Sequence, residues 1–388
     1  MDFNNTQIAF QSKSDNDLNR AYWLFKIIGY PSIVKIGKGV TNFAIKAKLP
    51  IEGIIKKTIF KQFCGGTTIN DCESTTKELY KFGIGTILDY SVEGKTSNED
   101  FEKTTQEIIA TINKAKGNDA IPYAVFKITG ISRFGLLEKA NDVNSKLNEN
   151  ENRELNEVIQ RVDRICHAGF ENEVPVFIDA EESWIQDIID RICVSMMLKY
   201  NRNRAIVFNT LQMYRHDRLS FLKTEIDKSK IGGYKYGIKL VRGAYMEKER
   251  ERAVKLGYPS PIQPDKKHTD TDYNTALELI LDHIDTLALC AGTHNEMSSK
   301  FLTELIENKG INKEDKRIYF AQLLGMSDHI SYNLSASNYN VAKYVPYGPI
   351  NEVLPYLLRR ADENTSVAGQ TSRELSLLTI EKNRRKQK

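Results

Sequence analysis

The sequence predicts a (βα)8 barrel of the TIM type, because short β-rich apolar runs alternate with longer amphipathic segments. Eight such runs occur after residue 82, and eight repeated units favour a closed parallel barrel over an open doubly wound sheet. The predicted strands are Ile84–Tyr90, Tyr123–Thr129, Val174–Ile178, Ala205–Thr210, Gly237–Val241, Thr286–Cys290, Arg317–Gln322 and Val341–Val345. The predicted helices between them are Asn98–Lys116, Glu154–Ala168, Trp184–Lys199, His216–Ser229, Glu247–Leu256, Thr271–Ile284 and Met297–Asn308.

The residues that precede the barrel are predicted to be helical. Asp15–Ile28 carries its apolar residues on one helical face and ends at a Gly-Tyr-Pro sequence. Ile51–Phe60 and Ser74–Phe82 show the same pattern. The predicted domains are a helical segment (1–82), the barrel (83–375) and a basic tail (376–388).

A final helix is predicted over the mouth of the barrel. Asn351 is placed to cap it, and Pro355 falls in or near its first turn, where proline is tolerated. Arg359 and Glu363 are four residues apart and share a face, with Arg360 beside them. An ordinary exposed ion pair would explain this pattern. So would an arginine pair presented to a carboxylate, whose geometry a guanidinium matches.

Composition argues against several classes of protein. The chain has 388 residues and a formal net charge of +4, which is small for a nucleic-acid reader of this size. Its one basic cluster, Lys382–Lys388, is interpreted as a solvated, frayed tail. The N-terminus lacks a basic stretch followed by an apolar core, and no run of about 18 apolar residues occurs. We therefore expect neither a signal peptide nor a transmembrane helix.

Motifs of other enzyme classes are incomplete or missing. The five cysteines form no CxxC pair, so we expect no zinc site or disulfide framework, and a reducing, cytoplasmic compartment. Gly83-Ile84-Gly85 lacks the third glycine of a dinucleotide fingerprint, and Gly94-Lys95-Thr96 lacks the first glycine of a P-loop. The histidines form neither HxH nor HExxH, and no GxSxG is present, so no metal is expected.

Polar residues close nearly every predicted strand. In a (βα)8 barrel the chemistry lies at the C-terminal ends of the strands, and buried charges are costly unless paired or used. An ion pair, a helix cap or a loop histidine would explain any one of them, but their recurrence predicts an active site. They are Asp89, Glu93, Lys127, Asp179, Gln212, Lys239, Arg242, Thr293, His294, Asn295, Gln322 and Tyr344.

Six segments, most of them at these strand ends, carry a resemblance. They are VFIDAEE (Val176–Glu182), NTLQMY (Asn209–Tyr214), KLVRGAYMEKER (Lys239–Arg250), GTHNE (Gly292–Glu296), QLLGM (Gln322–Met326) and YVPYGPINEVLPYLLRRADEN (Tyr344–Asn364). In this order they resemble the signature segments of proline dehydrogenases. LLRRADEN with LVRGAY upstream is specific, whereas GTHNE alone is weak. The resemblance covers roughly Ile84 to Ser372.

The resemblance implies an FAD-dependent enzyme that oxidises L-proline to 1-pyrroline-5-carboxylate, the first step of proline catabolism. Arg359 and Arg360 would hold the proline carboxylate, and Glu93 would pair with Arg359 and help to close the site. The other residues implied around the substrate are Lys127, Asp179, Ala244, Tyr245, Leu323 and Tyr344. Those implied around the cofactor are Gln212, Lys239, Arg242, Gly243, Ala244, Thr293, His294, Asn295, Gln322 and Glu363.

Within these sets the resemblance implies particular roles. Lys239 would lie near the flavin N5, and Gln212 would hydrogen-bond the flavin ring. Arg242 and His294 would bind the FAD phosphates or ribityl region. Asp179 would contact and support the residues that touch substrate. The set implied to act in catalysis is Lys127, Lys239, Tyr344, Arg359 and Arg360.

This sequence also differs from some members of the family, and the resemblance implies partners for the reaction. Many bacterial members have arginine where this chain has Lys239, a position at which animal members resemble this chain. The DNA-binding and aldehyde dehydrogenase portions of the long bifunctional members are not found in this sequence. The resemblance to a stand-alone member therefore implies a separate 1-pyrroline-5-carboxylate dehydrogenase downstream. The family also implies a quinone-type electron acceptor, which would allow peripheral contact at the inner face of a membrane.

Other functions remain open at this point. A different flavin barrel of the methylenetetrahydrofolate reductase type would lack the Arg359-Arg360 pair and need a longer cleft. A barrel that binds without catalysis would not need the polar strand ends. Nucleic-acid binding rests only on the basic tail and an isoelectric point near 8.5.

Overall fold

Eight parallel strands form a closed barrel in their order along the chain, which confirms the predicted fold class. The structure, a computed structural model, describes residues 1–30, 52–92, 96–366 and 370–387, and the backbone alone of residues 52, 54, 57, 360–366, 370 and 371. The strands are β1 (Ile84–Tyr90), β2 (Tyr123–Phe126), β3 (Val176–Ile178), β4 (Val207–Gln212), β5 (Tyr236–Val241), β6 (Leu287–Gly292), β7 (Ile318–Leu323) and β8 (Val341–Tyr347).

The strand ends differ from the prediction by a few residues. The second predicted strand reached Thr129, but β2 ends at Phe126 because Ile128–Gly130 form a 3-10 turn. β4 continues to Gln212, which pairs with Val241 of β5. Both differences lie at C-terminal strand ends, where the sequence places its polar residues.

Helices connect the strands, as the alternating pattern predicts. They are α1 (Thr6–Ala9), α2 (Asp15–Ile28), α3 (Glu52–Ile55), α4 (Lys61–Phe63), α5 (Glu73–Tyr80), α6 (Asn98–Ala115), α7 (Phe134–Asn141), α8 (Glu149–Glu171), α9 (Ser183–Tyr200), α10 (Arg218–Gly232), α11 (Met246–Leu256), α12 (Lys266–Asp282), α13 (Glu296–Asn308), α14 (Asp328–Ser335), α15 (Ile350–Ser366) and α16 (Gln370–Lys386). A π-helical turn, Lys56–Phe60, joins α3 to α4.

Residue contacts divide the chain into two compact units, a central unit (94–321) and a terminal unit (1–93 with 322–388). Aromatic rings from three neighbouring strands fill the core of the central unit. The Tyr123 ring stacks on Phe177 with centroids 4.4 Å apart, and Phe208 lies edge-on to both. All three side chains are buried, so they support the strands whose far ends carry the polar residues.

The terminal unit corrects the interpretation of the C-terminus. Of the predicted frayed tail, Lys382–Lys388, the described residues 382–387 are not frayed, because α16 runs through Lys386 and contacts α2. Leu377 and Leu378 are buried in a cluster with apolar residues of α2. Arg384 and Arg385 both donate to the carboxylate of the buried Glu381. The basic residues therefore lie in the last turn of a packed helix, where positive charge is favourable.

The final predicted helix begins earlier than expected. It starts at Ile350, so Asn351 lies inside the helix and its predicted capping role is wrong. The carbonyl of Pro349 accepts the backbone N–H of Val353 at 3.0 Å and opens the helix instead. Pro355 lies in the second turn, where it withholds one helical N–H.

Candidate active site

A buried ion pair joins the ends of two strands of the central unit. Lys239 of β5 donates to Asp179, which follows β3, with Nζ and Oδ1 2.5 Å apart. The Thr210 hydroxyl is 3.4 Å from the same oxygen. Lys239 is 7% exposed, so its charge depends on this carboxylate for compensation. The structure thus brings together two residues that the sequence selected separately.

A second carboxylate, Glu181, lies between β3 and α9 and is 3% exposed. Its oxygens accept the Thr129 backbone N–H at 3.1 Å and the Thr129 hydroxyl. Its own N–H donates to Gln186 at 2.8 Å, and its carbonyl accepts the Gln212 side-chain amide at 2.7 Å. Burial raises the pKa of Glu181 to about 7, although the charge of Lys127 and the Thr129 hydrogen bonds oppose the rise.

Sequence reasoning missed Glu181. The segment Asp179-Ala180-Glu181-Glu182 offers three carboxylates, and spacing alone does not show which of them is buried. The signal that could have found it is Thr129, a hydroxyl at the end of the neighbouring predicted strand. The two strands pair in parallel from Ala124 with Val176 to Phe126 with Ile178, so their ends meet.

Arg242, just beyond β5, is held by three neighbours. Its Nε donates to Asp270 at 2.7 Å, one terminal nitrogen donates to the Thr293 hydroxyl at 2.7 Å, and the other donates to the Ser298 hydroxyl at 2.8 Å. The guanidinium carbon is 4.3 Å from the centroid of the Tyr273 ring. Although burial opposes it, hydrogen bonds from Lys266 and Arg242 hold the pKa of Asp270 below its usual range. The arginine therefore presents a fixed positive charge.

The next three residues form a tight loop before α11. Gly243 has a φ of +128°, and a Cβ there would lie 2.6 Å from the Tyr214 ring, so only glycine fits. Ala244 is exposed and Tyr245 is half-buried. The start of α11 is tied to the start of α9, because the buried Glu249 accepts both the N–H and the hydroxyl of Ser183 at 2.6 Å.

The loop after β6 carries the predicted residues Thr293, His294 and Asn295. The Thr293 hydroxyl oxygen also accepts the Asn295 N–H at 3.1 Å. Asn295 caps α13, since its side-chain oxygen accepts the Ser298 N–H at 3.0 Å. His294 is half-buried between them. This loop and Arg242 share Thr293 and so form one connected group.

In the terminal unit, the predicted residues lie on the last two strands. The Gln322 side-chain oxygen accepts the Ser331 hydroxyl at 2.8 Å, and Gln322 is buried. Leu323 is half-buried at the end of β7. Tyr344 of β8 is 7% exposed, and its carbonyl accepts the Leu324 N–H at 2.8 Å. Tyr344 therefore packs tightly beside the strand end that carries Leu323.

A buried charge cluster in the terminal unit was also not predicted from the sequence. Lys343 is fully buried and its Nζ donates to Asp328 at 2.7 Å and to the Met326 carbonyl at 2.6 Å. Lys13 lies 2.9 Å from the other oxygen of Asp328. Burial alone would raise the pKa of Asp328, but the two lysines hold it well below its usual range. The cluster fixes the turn that follows β7.

Some predicted residues lie at or beyond the limits of the described structure. Arg359 lies on α15 and is half-buried. Glu93 is outside the described residues, as are the side chains of Arg360 and Glu363. The proposed pairing of Glu93 with Arg359 therefore stays a prediction.

All five cysteines are buried and unpaired. Across the described residues, His, Cys, Asp and Glu side chains form no group of three that could hold a metal ion. None of the described helices is both long and apolar enough to cross a membrane.

Comparison with known proteins assigns the family. The family profile described as proline dehydrogenase matches residues 72–373. The chain belongs to the proline dehydrogenase family. The match spans all eight strands and the whole of α15, which confirms the resemblance that the signature segments carry.

Curated members of the family support the assignment. Proline dehydrogenase 1, mitochondrial, of Dictyostelium discoideum is 34% identical over 425 residues, which cover 98% of this chain and 74% of that protein. The Homo sapiens protein of the same name is 38% identical, covering 62% of this chain and 41% of that protein. Hydroxyproline dehydrogenase of Xenopus laevis is 29% identical, covering 97% and 89%. The names of these relatives thus refer to two substrates, proline and hydroxyproline.

Solved structures share the fold. Proline utilization A from Bdellovibrio bacteriovorus, crystallised after inactivation by N-propargylglycine, superposes with a TM-score of 0.75 and 18% identity. The alignment covers 96% of this chain and 40% of that protein. This proline dehydrogenase family member therefore spans about two fifths of the longer chain, and the shared fold covers nearly its whole length.

Proposed function

We propose that the chain oxidises L-proline to 1-pyrroline-5-carboxylate, with FAD as the hydride acceptor. The observation that carries the proposal is the pair of fixed cations at the end of β5, in a member of the proline dehydrogenase family. Lys239 is buried against Asp179, and Arg242 is held by three hydrogen-bond partners. Fixed cations at C-terminal strand ends suit an anionic cofactor and an anionic substrate.

The residues of the central unit fit FAD. A guanidinium has five N–H groups, and Arg242 uses three of them on protein acceptors, so its others can donate to a phosphate in a set direction. Gly243 lets the backbone approach a bound group closely. Gln212 is oriented by its bond to the Glu181 carbonyl. We propose FAD contacts for Gln212, Lys239, Arg242, Gly243, Ala244, Thr293, His294 and Asn295 of this unit, and also for Gln322 and Glu363, which are outside it.

The substrate roles follow from the chemistry of proline. The amino acid is a zwitterion, and its carboxylate needs a fixed cation, which we assign to Arg359 and Arg360. Glu93 is proposed to pair with Arg359. Lys127, Asp179, Ala244, Tyr245, Leu323 and Tyr344 are proposed to line or support the pocket. The half-buried setting of Arg359 and the burial of Tyr344 agree with these roles.

The reaction removes a hydride from the ring carbon next to nitrogen, after the ammonium group has lost one proton. When bound, FAD supplies the hydride acceptor. The protein's part is to hold the carboxylate, orient the ring and exclude water. Nearby cations also lower the proton affinity of the substrate amine, because they disfavour another positive charge. We further propose a quinone-type acceptor and a separate enzyme that consumes the product.

The test is a spectrum of the purified protein reconstituted with FAD. We expect a yellow protein. Acid precipitation should release its flavin, because the flavin is proposed to bind without a covalent link to the protein. Anaerobic L-proline should bleach the visible flavin absorbance, and D-proline should not. Failure to take up FAD, or a bound flavin that L-proline leaves oxidised, would overturn the proposed function.

Substrate choice is expected to depend on Tyr344, which lies fifteen residues before Arg359. A buried tyrosine ring packs against the proline methylenes and leaves little room for a hydroxyl on C4. We expect the wild type to use proline far better than trans-4-hydroxyproline, and Tyr344→Ser to narrow the gap, mainly by impairing proline. The measurement is kcat/KM for both substrates, with the exposed Tyr80→Ser as control. An unchanged ratio in Tyr344→Ser would remove Tyr344 from the specificity set.

A further inference from the structure

Glu181 is a junction between three elements of the central unit. Its side chain accepts two hydrogen bonds from Thr129, in the turn after β2. Its backbone N–H is bound by Gln186 of α9, and its carbonyl by Gln212 of β4. Glu181 is only 3% exposed, and a buried charge without such partners would destabilise the fold, so these bonds hold the carboxylate in one place.

The turn that Glu181 holds begins at Lys127. The Gly130 N–H donates to the Lys127 carbonyl at 3.1 Å and closes the turn. Thr129 lies inside it and gives both its N–H and its hydroxyl to Glu181. The carboxylate therefore fixes the backbone that carries Lys127, and its negative charge acts on the lysine ammonium.

We propose that Glu181 is a positioning residue of the active site, whose carboxylate sets the place of Lys127 and balances its charge. The inference rests on the proposed function, which assigns Lys127 to the substrate pocket. It adds a residue that acts through Lys127 and Gln212 without touching substrate.

Among the charged groups on the elements packed around Glu181, Lys127 is the main counter-charge of its carboxylate. They are Lys127 after β2, Asp179 after β3, Glu182 and Asp190 on the α9 side, Lys239 on β5, and Lys248 and Glu249 on α11. Glu182 pairs with Lys248, Asp190 with Arg218, and Asp179 with Lys239. Each of these carboxylates therefore has its own cation, and Lys127 is the cation that stabilises the charged form of Glu181.

This arrangement predicts a specific pH dependence. Because the pKa of Glu181 is raised to about 7, the carboxyl is mostly neutral below that pH and ionised above it. Glu181→Gln is neutral at every pH, so it imitates the wild type below about pH 7 and differs above. The ratio of variant to wild-type kcat/KM cancels the titration of the substrate amine. We expect that ratio to fall as the pH rises through about 7, by about tenfold, the factor that corresponds to roughly 1.4 kcal/mol.

The experiment compares wild type, Glu181→Gln and the control Glu182→Gln, which removes the adjacent negative charge. Two readouts are taken on the FAD-loaded proteins. One is kcat and KM for L-proline from pH 6 to 9. The other is acetic anhydride labelling of Lys127 at pH 8, measured by peptide mass spectrometry, which needs no turnover. Removing the anion should favour the neutral, reactive amine and raise Lys127 labelling several-fold in Glu181→Gln, and Glu182→Gln should label as the wild type does.

The outcomes separate this inference from the proposed function. If L-proline does not reduce the wild-type flavin, the proposed function fails, and the labelling still decides whether Glu181 controls Lys127. Wild-type labelling together with a flat activity ratio in Glu181→Gln would overturn the inference. If Glu181→Gln does not fold, Thr129→Val keeps the carboxylate but removes one tie to the turn. Raised Lys127 labelling in Thr129→Val would then support the inference, and wild-type labelling would overturn it.

Discussion

Replacing Arg359 with methionine is expected to weaken proline binding by about one to two orders of magnitude while leaving the midpoint of thermal unfolding nearly unchanged. A charge-assisted hydrogen bond to a carboxylate contributes about 1.5–3 kcal/mol, which corresponds to that range of affinity. Methionine retains much of the apolar stem, and Arg359 is half-buried, so the packing of α15 should survive. The same result is expected for Arg360→Met.

The measurement is a titration of the FAD-loaded protein with a non-reacting proline analogue, together with thermal unfolding. Arg153→Met is a matched control, since its side chain is 74% exposed on α8 and its partner Glu149 is 3.7 Å away. The control should change neither affinity nor stability. If Arg359→Met instead lost stability while the surviving protein bound the analogue normally, the arginine would be structural and the carboxylate assignment would be wrong.

The fold could be predicted from the alternation of apolar strand-like runs with amphipathic helical segments. Each barrel strand is an apolar run bounded by helical segments, and that local pattern is enough to predict eight parallel units. Strand ends are less predictable, because the last residues can continue the strand or turn away. The run that begins at Tyr123 shows this, since Ile128 is as apolar as the strand residues Val125 and Phe126 but belongs to a 3-10 turn. Only the hydrogen bonds of that turn decide its end.

The candidate site was predictable where a polar residue lies near or just beyond the C-terminal end of a strand, as for Lys239 within β5, Asp179 after β3 and Arg242 after β5. It was not predictable where the important property is a partner distant in sequence. Glu181 is defined by Thr129, 52 residues away, and not by its acidic neighbours. The basic residues of α16 show the converse error. Charge alone indicated a solvated tail, whereas burial of Leu377 makes the segment part of the core.

The largest loss in the free energy of unfolding is expected from a substitution in the buried charge cluster of the terminal unit. Asp328→Asn removes the carboxylate that compensates Lys343, whose side chain is 0% exposed. Lys13, the other partner, retains 19% exposure and can turn toward water, but Lys343 cannot. Breaking a buried pair by removing one partner costs about 3–5 kcal/mol. At an unfolding entropy of about 2.1 cal/mol/K per residue, this lowers the thermal midpoint by roughly 5 °C.

The control is Asp285→Asn, which makes the same substitution in a pair with Arg317 where the aspartate is 97% exposed, and it should change stability little. The pH dependence gives a second check. The pKa of Asp328 is depressed in the folded state, so its contribution is complete above about pH 4, the unfolded value, and is lost as the pH falls toward the folded value. The stability gap between wild type and Asp328→Asn should therefore narrow in acid. A gap below about 1 kcal/mol at neutral pH would mean that Lys343 does not depend on Asp328 for its stability in the fold.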